Sequence, residues 1–350
     1  MTCQITFLPV GNADSIVIQT DNSIVIIDLG KLNILEEWLE KHQISRIDRI
    51  YITHYHSDHC PSLIGLSDFI TEWKEKLKIE KIHLPYKVIE IARKKVLASN
   101  NDLKVGKLRL ALKRISEWSA DGIDRIKFSP IVRDGEGYSK DLLNIEALHP
   151  SQDYIENHLA ISDSKLNDIS LVLQVTYGKF SAQLLADIEG AGLTELLRFL
   201  KINSESIDFT ANVVKIPHHG AYPKNGDELR DLLALIDAEL AVLSVGSKNT
   251  YGHVEPELFK SLIGLKNNKD NRLWKFICTE VTRTCVYSAS DRSTMGKSGL
   301  SSSEADKCAG EITIVAETSG TWKLKMEIDP HKTQVASFKC AACDGRGDFG

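Results

Sequence analysis

The chain has 350 residues, 42% of them hydrophobic and 26% charged, ordinary globular proportions that exclude wholesale disorder and collagen-like repeats. No apolar run reaches the roughly 18 residues of a membrane-spanning helix, and Met1–Phe7 lacks the basic start of a signal peptide, so a cytoplasmic address is expected. The net charge of -5 excludes a coat of Lys and Arg but not a local basic patch, and seven scattered cysteines argue against a secreted disulfide scaffold.

Strand-like alternation covers Gln4 to Val10, Ser15 to Thr20 and Ile24 to Leu29, with the first two joined at the turn Gly11–Asp14. Leu32, Leu35, Trp38 and Leu39 follow helical spacing. Ile47 to Thr53 is an apolar strand running straight into His54; Leu63 to Leu77 reads as a helix and Lys81 to Leu84 as a short strand. Residues 71–127 carry 15 Lys+Arg against 8 Asp+Glu, a net of +7, so the rest of the chain carries -12. That asymmetry points either to an anionic ligand or to a solvated helical face. Within it, Leu108, Leu112 and Ile115 with Lys107, Lys113 and Arg114 read as a basic amphipathic helix, weakened at Gly106.

Arg125 to Val132, Leu142 to Leu148, Ile169 to Tyr177 and Phe180 to Ala186 read as strands. A helix over Leu193 to Leu200 is followed by a strand over Asn212 to Ile216, broken by Pro217. Then come a helix (Asp227 to Ile236), a strand (Ala241 to Val245) and a helix (Glu255 to Leu265), and late strands at Trp274 to Thr279, Ile312 to Ala316 and Thr321 to Glu327. Ser288 to Lys307 is rich in Ser, Gly and charge and reads as a loop. No fixed-period repeat is present. Two strand-rich halves that both carry helices suggest sheets packed face to face with helices outside.

The densest chemistry is His54-x-His56-x-Asp58-His59, four potential ligands within six residues directly after an apolar strand. Neutral imidazoles and carboxylates are the donors that first-row divalent metals accept, and packing rarely calls for so many together. This motif resembles the signature of the metallo-β-lactamase superfamily. Asp28 before Gly30, Asp187 after Leu184-Leu185-Ala186, and His218-His219-Gly220 after Ile216-Pro217 match further superfamily positions. Gly11-Asn12-Ala13-Asp14-Ser15, Asn167-Asp168-Ile169-Ser170-Leu171, and Ser244-Val245-Gly246 with Asn249 and Tyr251-Gly252-His253 resemble the hydrolase domain of ComEC-type competence proteins.

The resemblance implies an αββα sandwich over 1–327, with 71–127 as a basic helical insertion at the rim of the site, 288–308 as a loop insertion and 328–350 as a tail. It implies a centre of two divalent ions, zinc first and manganese or iron also accommodated. His54, His56 and His149 would hold one ion. Asp58, His59 and one of His218 or His219 would hold the other, with Asp187 bridging and Asp28 orienting the metal loop. A shared hydroxide would be the nucleophile, oriented by Asp58, and His253 would serve a phosphate oxygen or the leaving group. His149, in Leu148-His149-Pro150, reads equally well as a ligand or a turn residue.

The expected activity is phosphodiester hydrolysis, by a nuclease or phosphodiesterase acting on nucleic acid or a nucleotide. The alternatives are a small-molecule phosphoester or ester hydrolase, and a metal-binding subunit with protein partners in a larger DNA-processing or defence complex. Cys340-Ala341-Ala342-Cys343 has metal-ligand spacing but supplies two ligands only. Cys278, Cys285, Cys308 or His331 would have to complete a zinc site; otherwise these are reduced thiols in a tail.

Overall fold

The computed structural model describes residues 1–85, 88–98, 103–120, 126–133, 135–157, 163–301, 307–328, 338, 340–341 and 343. The first half runs β1 (Thr2–Phe7), β2 (Ile16–Gln19), β3 (Ile24–Ile27), α1 (Leu32–Lys41), β4 (Arg46–Tyr51), α2 (Ser62–Trp73), β5 (Lys78–Leu84), α3 (Val88–Ala98), α4 (Leu103–Ser119), β6 (Lys127–Pro130), β7 (Tyr138–Lys140) and β8 (Leu143–His149). The second runs α5 (Gln152–Asn157), β9 (Val172–Tyr177), β10 (Phe180–Leu184), α6 (Gly190–Asn203), β11 (Val213–Lys215), α7 (Gly226–Ile236), β12 (Leu240–Leu243), α8 (Pro256–Asn267), β13 (Lys275–Cys278), α9 (Arg283–Val286), α10 (Ala289–Met295), β14 (Ile312–Glu317) and β15 (Trp322–Met326).

Among the described residues these strands form two sheets, ordered β15-β14-β1-β2-β3-β4-β5-β6 and β13-β12-β11-β10-β9-β8-β7. Strand alternation decides which core each side chain joins. Ile16, Ile18, Val25 and Ile27 point inward and meet Leu173, Val175 and Leu184 of the other sheet, making the central core. Val17 and Ile26 point outward, against Leu35 of α1, Leu63 of α2 and Ile115 of α4. On the far side Val214 and Ala241 pack under Leu193, Leu229 and Leu258 of α6, α7 and α8. Each such fully buried aliphatic side chain contributes roughly 1.5–3 kcal/mol before the entropy of ordering is subtracted. The four layers are therefore helix, sheet, sheet, helix: the αββα sandwich the motifs implied.

Helix α7 shows why the outer layers form. Leu229, Leu232, Leu233 and Ile236 recur at helical spacing and are buried, while Asp227 and Glu228 occupy the positive end of the helix dipole in the first turn. Each sheet is partly parallel: β3, β4, β5 and β6 in the first, and β10, β11, β12 and β13 in the second. The carboxyl ends of parallel strands are where α/β sheets present their sites.

Two expectations about elements change, and two short elements had no signal to read. Helices α3 and α4 carry the basic segment, but Val88, Ala92 and Ile115 bury against the first sheet, so they belong to its covering helix layer. The 288–301 stretch contains helix α10, started by a capping box in which the Ser288 hydroxyl accepts from Asp291 N and the Asp291 carboxylate accepts from Ser288 N. Strand β7 and helix α5, three and six residues long, are too short for a periodic signal. Most of 328–350, His331 included, lies outside the described residues. No helix among the described residues is long and apolar enough to cross a membrane.

Candidate metal centre

Strand β4 stops at Tyr51 because the chain turns toward Asp28. The Thr53 N–H donates to Asp28 Oδ1 and the Thr53 hydroxyl to Asp28 Oδ2, both at 2.7 Å. Asp28 itself has φ 62, left-handed backbone just past the end of β3, a conformation costly enough to need its surroundings. Beyond Thr53 the loop folds back as one turn, with His59 N and Cys60 N bonding His56 O at 3.1 and 2.8 Å. The loop is clamped to the turns after β3 and before β2, with Leu29 N on His59 O at 2.8 Å and Asp14 N on Asp58 O at 3.1 Å. Gly30 makes that clamp possible, since a Cβ there would lie 2.4 Å from Asp58 O and 2.7 Å from Asp14 O.

The clamped loop aims its side chains at one point. His54 Nε2 and His56 Nδ1 stand 3.0 Å apart. His59 turns Nδ1 to Asp28 Oδ2 at 2.6 Å and leaves Nε2 facing inward. From the second sheet, Asp187 follows β10 through the left-handed Ala186 (φ 46), and His219 follows β11 (φ 51). His59 Nε2 lies 3.2 Å from Asp187 Oδ1 and 3.2 Å from His219 Nε2. His219 Nε2 is 3.4 Å from Asp187 and 3.6 Å from Asp58.

Ligand atoms of Asp58, His59, Asp187 and His219 lie within 4.8 Å of one another, as do those of His54, His56 and Asp58. Six of the expected metal residues thus converge, and Asp58 is the one that belongs to both groups. Asp187 joins the His59–His219 group. It reaches His54 through its charge, which opposes the fall in that imidazole's pKa caused first by burial and then by His59.

The donors fit divalent ions. His219 donates or shares Nδ1 with Ser244 O at 2.9 Å, and His59 Nδ1 is held by Asp28, so each ring is oriented with its Nε2 turned to the cluster. Asp187 Oδ1, buried, takes no well-aligned hydrogen bond among the described residues and keeps its lone pairs for another partner. Burial works against charge on both Asp187 and His59. The surrounding imidazoles nevertheless hold Asp187 well below the ordinary carboxylate range, and Asp187 with Asp28 holds His59 well above the ordinary imidazole value.

His218 is the outer of the two adjacent histidines, with 27% of its side chain exposed. Its Nδ1 is 3.1 Å from Glu189 Oε2. That hydrogen bond and the Asp187 charge outweigh burial and raise its pKa. His253 lies beside it, ring centres 5.5 Å apart; burial first and then the His218 and His219 charges push its pKa down to about 4, so it is neutral at neutral pH.

His149 is not brought into the cluster. Both of its ring nitrogens are engaged elsewhere, Nδ1 with Glu195 Oε2 and Nε2 with the Asp168 carbonyl, each at 2.9 Å, which leaves neither lone pair for an ion in this arrangement. It stitches β8 to α6, whose Glu195 also takes Arg133 at 2.5 Å.

Three residues support the cluster in roles that the sequence did not indicate. Lys215 is fully buried, ion-paired with the buried Asp14, donating to Ala186 O at 2.8 Å and 3.6 Å from Asp187. Its one signal was a cation inside the apolar run Val213–Ile216. Glu189, two residues beyond Asp187, holds His218 and accepts from Asn167 at 2.9 Å. Ser244 acts through its carbonyl, which no side-chain pattern reveals. Gly246 lets two of the motif loops touch: a Cβ there would lie 2.5 Å from Asn12 N.

No protein-family model matches the chain. Ribonuclease Z of Pyrococcus abyssi is 28% identical over 121 residues, 32% of this chain and 38% of the relative, so the match spans less than two-fifths of that protein's length. Among solved structures, the metallo-β-lactamase fold protein YhfI of Bacillus subtilis aligns with 69% of this chain and 86% of its own at 12% identity and a TM-score of 0.41. A long-form RNase Z from yeast aligns with 93% of this chain and 49% of its own, at 11% identity and a TM-score of 0.48.

Proposed function

We propose that the chain is a metal-dependent hydrolase of phosphodiesters, with nucleic acid as its substrate class. The observation that carries this reading is the meeting of His54, His56, Asp58, His59, Asp187 and His219 at one edge of the two sheets. Imidazole and carboxylate donors of this kind suit zinc first, and manganese or iron as well. Two such ions would supply Lewis-acid polarisation, water activation near neutral pH and a clamp on the reacting oxygens.

The chain's own residues divide the remaining work. Asp58, whose side chain is 33% exposed, stands at the mouth, where its carboxylate orients a water and takes its proton. His218, whose pKa the Glu189 hydrogen bond raises, faces an anionic substrate group. His253 is neutral and serves as a hydrogen-bond donor to a substrate oxygen rather than as a cation. The ComEC-type branch rests on its motif loops. Asn249 supports that reading by tying the late loop together: its Oδ1 accepts from Gly252 N and His253 N at 3.0 and 3.1 Å.

Exposed lysines of the basic segment offer phosphate contacts, although Lys94 and Lys113 already pair with Glu90 and Glu117 one turn away. Such exposed pairs are worth about 0.3–0.5 kcal/mol and yield readily to a polyanion. The sequence likeness to a ribonuclease Z makes RNA a substrate to test beside DNA.

The deciding experiment incubates metal-quantified protein with single-stranded, double-stranded and circular DNA and with structured RNA, adding zinc or manganese. Asp187→Ala serves as the control and is expected to lose more than about 10²-fold in rate. Cleavage that persists in Asp187→Ala sinks the assignment of the site. No cleavage of any polymer by fully metal-loaded wild type sinks the nucleic-acid reading and favours a small phosphoester.

A further inference from the structure

Five of the seven cysteines gather at the far edge of the second sheet, away from the residues above. Cys278 ends β13, Cys285 lies in α9, Cys308 precedes the bend into β14, and Cys340 and Cys343 come from the C-terminal segment. Cys278, Cys285, Cys308 and Cys343 line one small space of about 10 Å³, walled by Phe259, Phe276 and Phe338. Cys340 is 3% exposed and donates its backbone N–H to Cys285 O at 3.3 Å, which seats Cys340 on α9.

We propose that Cys278, Cys285, Cys308 and Cys343 hold a structural zinc ion, distinct from the candidate catalytic centre, which fastens the C-terminal segment to the second sheet.

A single buried cysteine is commonly just a small apolar side chain. Four of them facing one space from four separate stretches of chain is a different pattern, and one of the four belongs to a Cys-x-x-Cys pair with metal-ligand spacing. A tetrahedral thiolate site is closed, which suits a space this small and walled by phenylalanines. Binding exchanges four thiol protons, released to solvent, for one Zn²⁺ and leaves a net charge of -2 on the site. Lys266, whose Nζ is 3.5 Å from Cys343 O, offsets part of it. These thiols are not among the groups whose ligand atoms already lie within 4.8 Å of one another, so binding draws the sulfurs together. Cys343 would then be anchored by metal rather than by a large apolar interface.

The test is metal analysis of the full chain, purified under reducing conditions without chelator, for wild type, Asp187→Ala, Cys308→Ser and Cys343→Ser. At least one zinc equivalent should remain in Asp187→Ala, and each cysteine variant should hold one equivalent fewer than wild type. Cobalt(II)-loaded Asp187→Ala should show the near-ultraviolet sulfur-to-cobalt charge-transfer band and the strong visible absorption of tetrahedral thiolate coordination. Equal metal content in wild type and Cys343→Ser overturns the proposal. So does cobalt-loaded Asp187→Ala without a charge-transfer band, a result that stands even if the cysteine variants fail to fold.

Discussion

The first sheet supplies His54, His56, Asp58 and His59 from one loop, within six residues, whereas the second supplies single side chains from successive strand ends, Asp187 after β10 and His219 after β11. The loop is held from outside by backbone clamps and by Asp28. The strand ends are held from beneath by a buried ion pair, Lys215 with Asp14, and by left-handed residues at Ala186, His218 and His219. A contiguous loop can be positioned by local turns. Single side chains on separate strands need the strands themselves kept in register and their ends bent, and the second sheet uses a buried cation to do it. Removing that cation is therefore expected to do more damage than loosening the loop.

Lys215→Met is the strongest test of the difference. It leaves the buried Asp14 without its ion-pair partner and removes one of the cations around Asp187, a loss of about 3–5 kcal/mol. Denaturant unfolding should show it as a lower midpoint with unchanged slope. A loss under ~1 kcal/mol would mean that the strand ends do not depend on the ion pair. Asp28→Asn should act more gently, and on the loop alone. The side chain keeps its shape but no longer presents an anion to His59 Nδ1, so metal affinity should fall about 10–100-fold with the fold intact. Competition with a chelator measures it, and an unchanged affinity would remove Asp28 from the site's support.

This contrast also explains what could be read from sequence. The His54–His59 loop is visible because its ligands are neighbours in the chain and follow an apolar strand. The layered fold is visible in the alternation of Ile16 to Ile27 and in the helical spacing of Leu229 to Ile236. Asp187 and His219 stand out only through resemblance to a known pattern, since an Asp or His after a strand is by itself ordinary. Lys215, Glu189 and the Ser244 carbonyl escape because their roles exist only after β10, β11 and β12 lie side by side. His149 misleads for the same reason. A histidine at a strand end looks alike whether an ion or Glu195, 46 residues further on, receives it.

His149→Asn sharpens that point. The variant loses at least one of two buried hydrogen bonds, a cost of about 1–3 kcal/mol, yet its bound metal should equal that of wild type. Metal analysis showing one ion fewer would return His149 to the ligand set and give the second half a larger share of the centre.

The smallest effect concerns the first sheet away from the loop and shows itself only in acid. His83, the sixth residue of β5, stacks on Tyr51 at the end of β4, ring centres 4.5 Å apart, and its carbonyl accepts from Ile52 N at 2.9 Å. It thereby supports the strand that delivers His54. Burial first, then the charges of Lys81 and Arg49, push its pKa down to about 3. An unfolded histidine titrates near about 6.5, so between those values the unfolded chain binds the extra proton. The contribution of neutral His83 is then fully present above about 6.5 and is lost as pH falls toward about 3. His83→Phe keeps a flat ring against Tyr51 without the proton site, and gives up the 3.2 Å contact of Nδ1 with Ser129 Oγ. Its stability should fall less steeply than that of wild type between pH 6 and 4. Parallel acid slopes for the two proteins would show that the acid sensitivity of the fold arises elsewhere, and that the support beneath His54 is indifferent to this ring's charge.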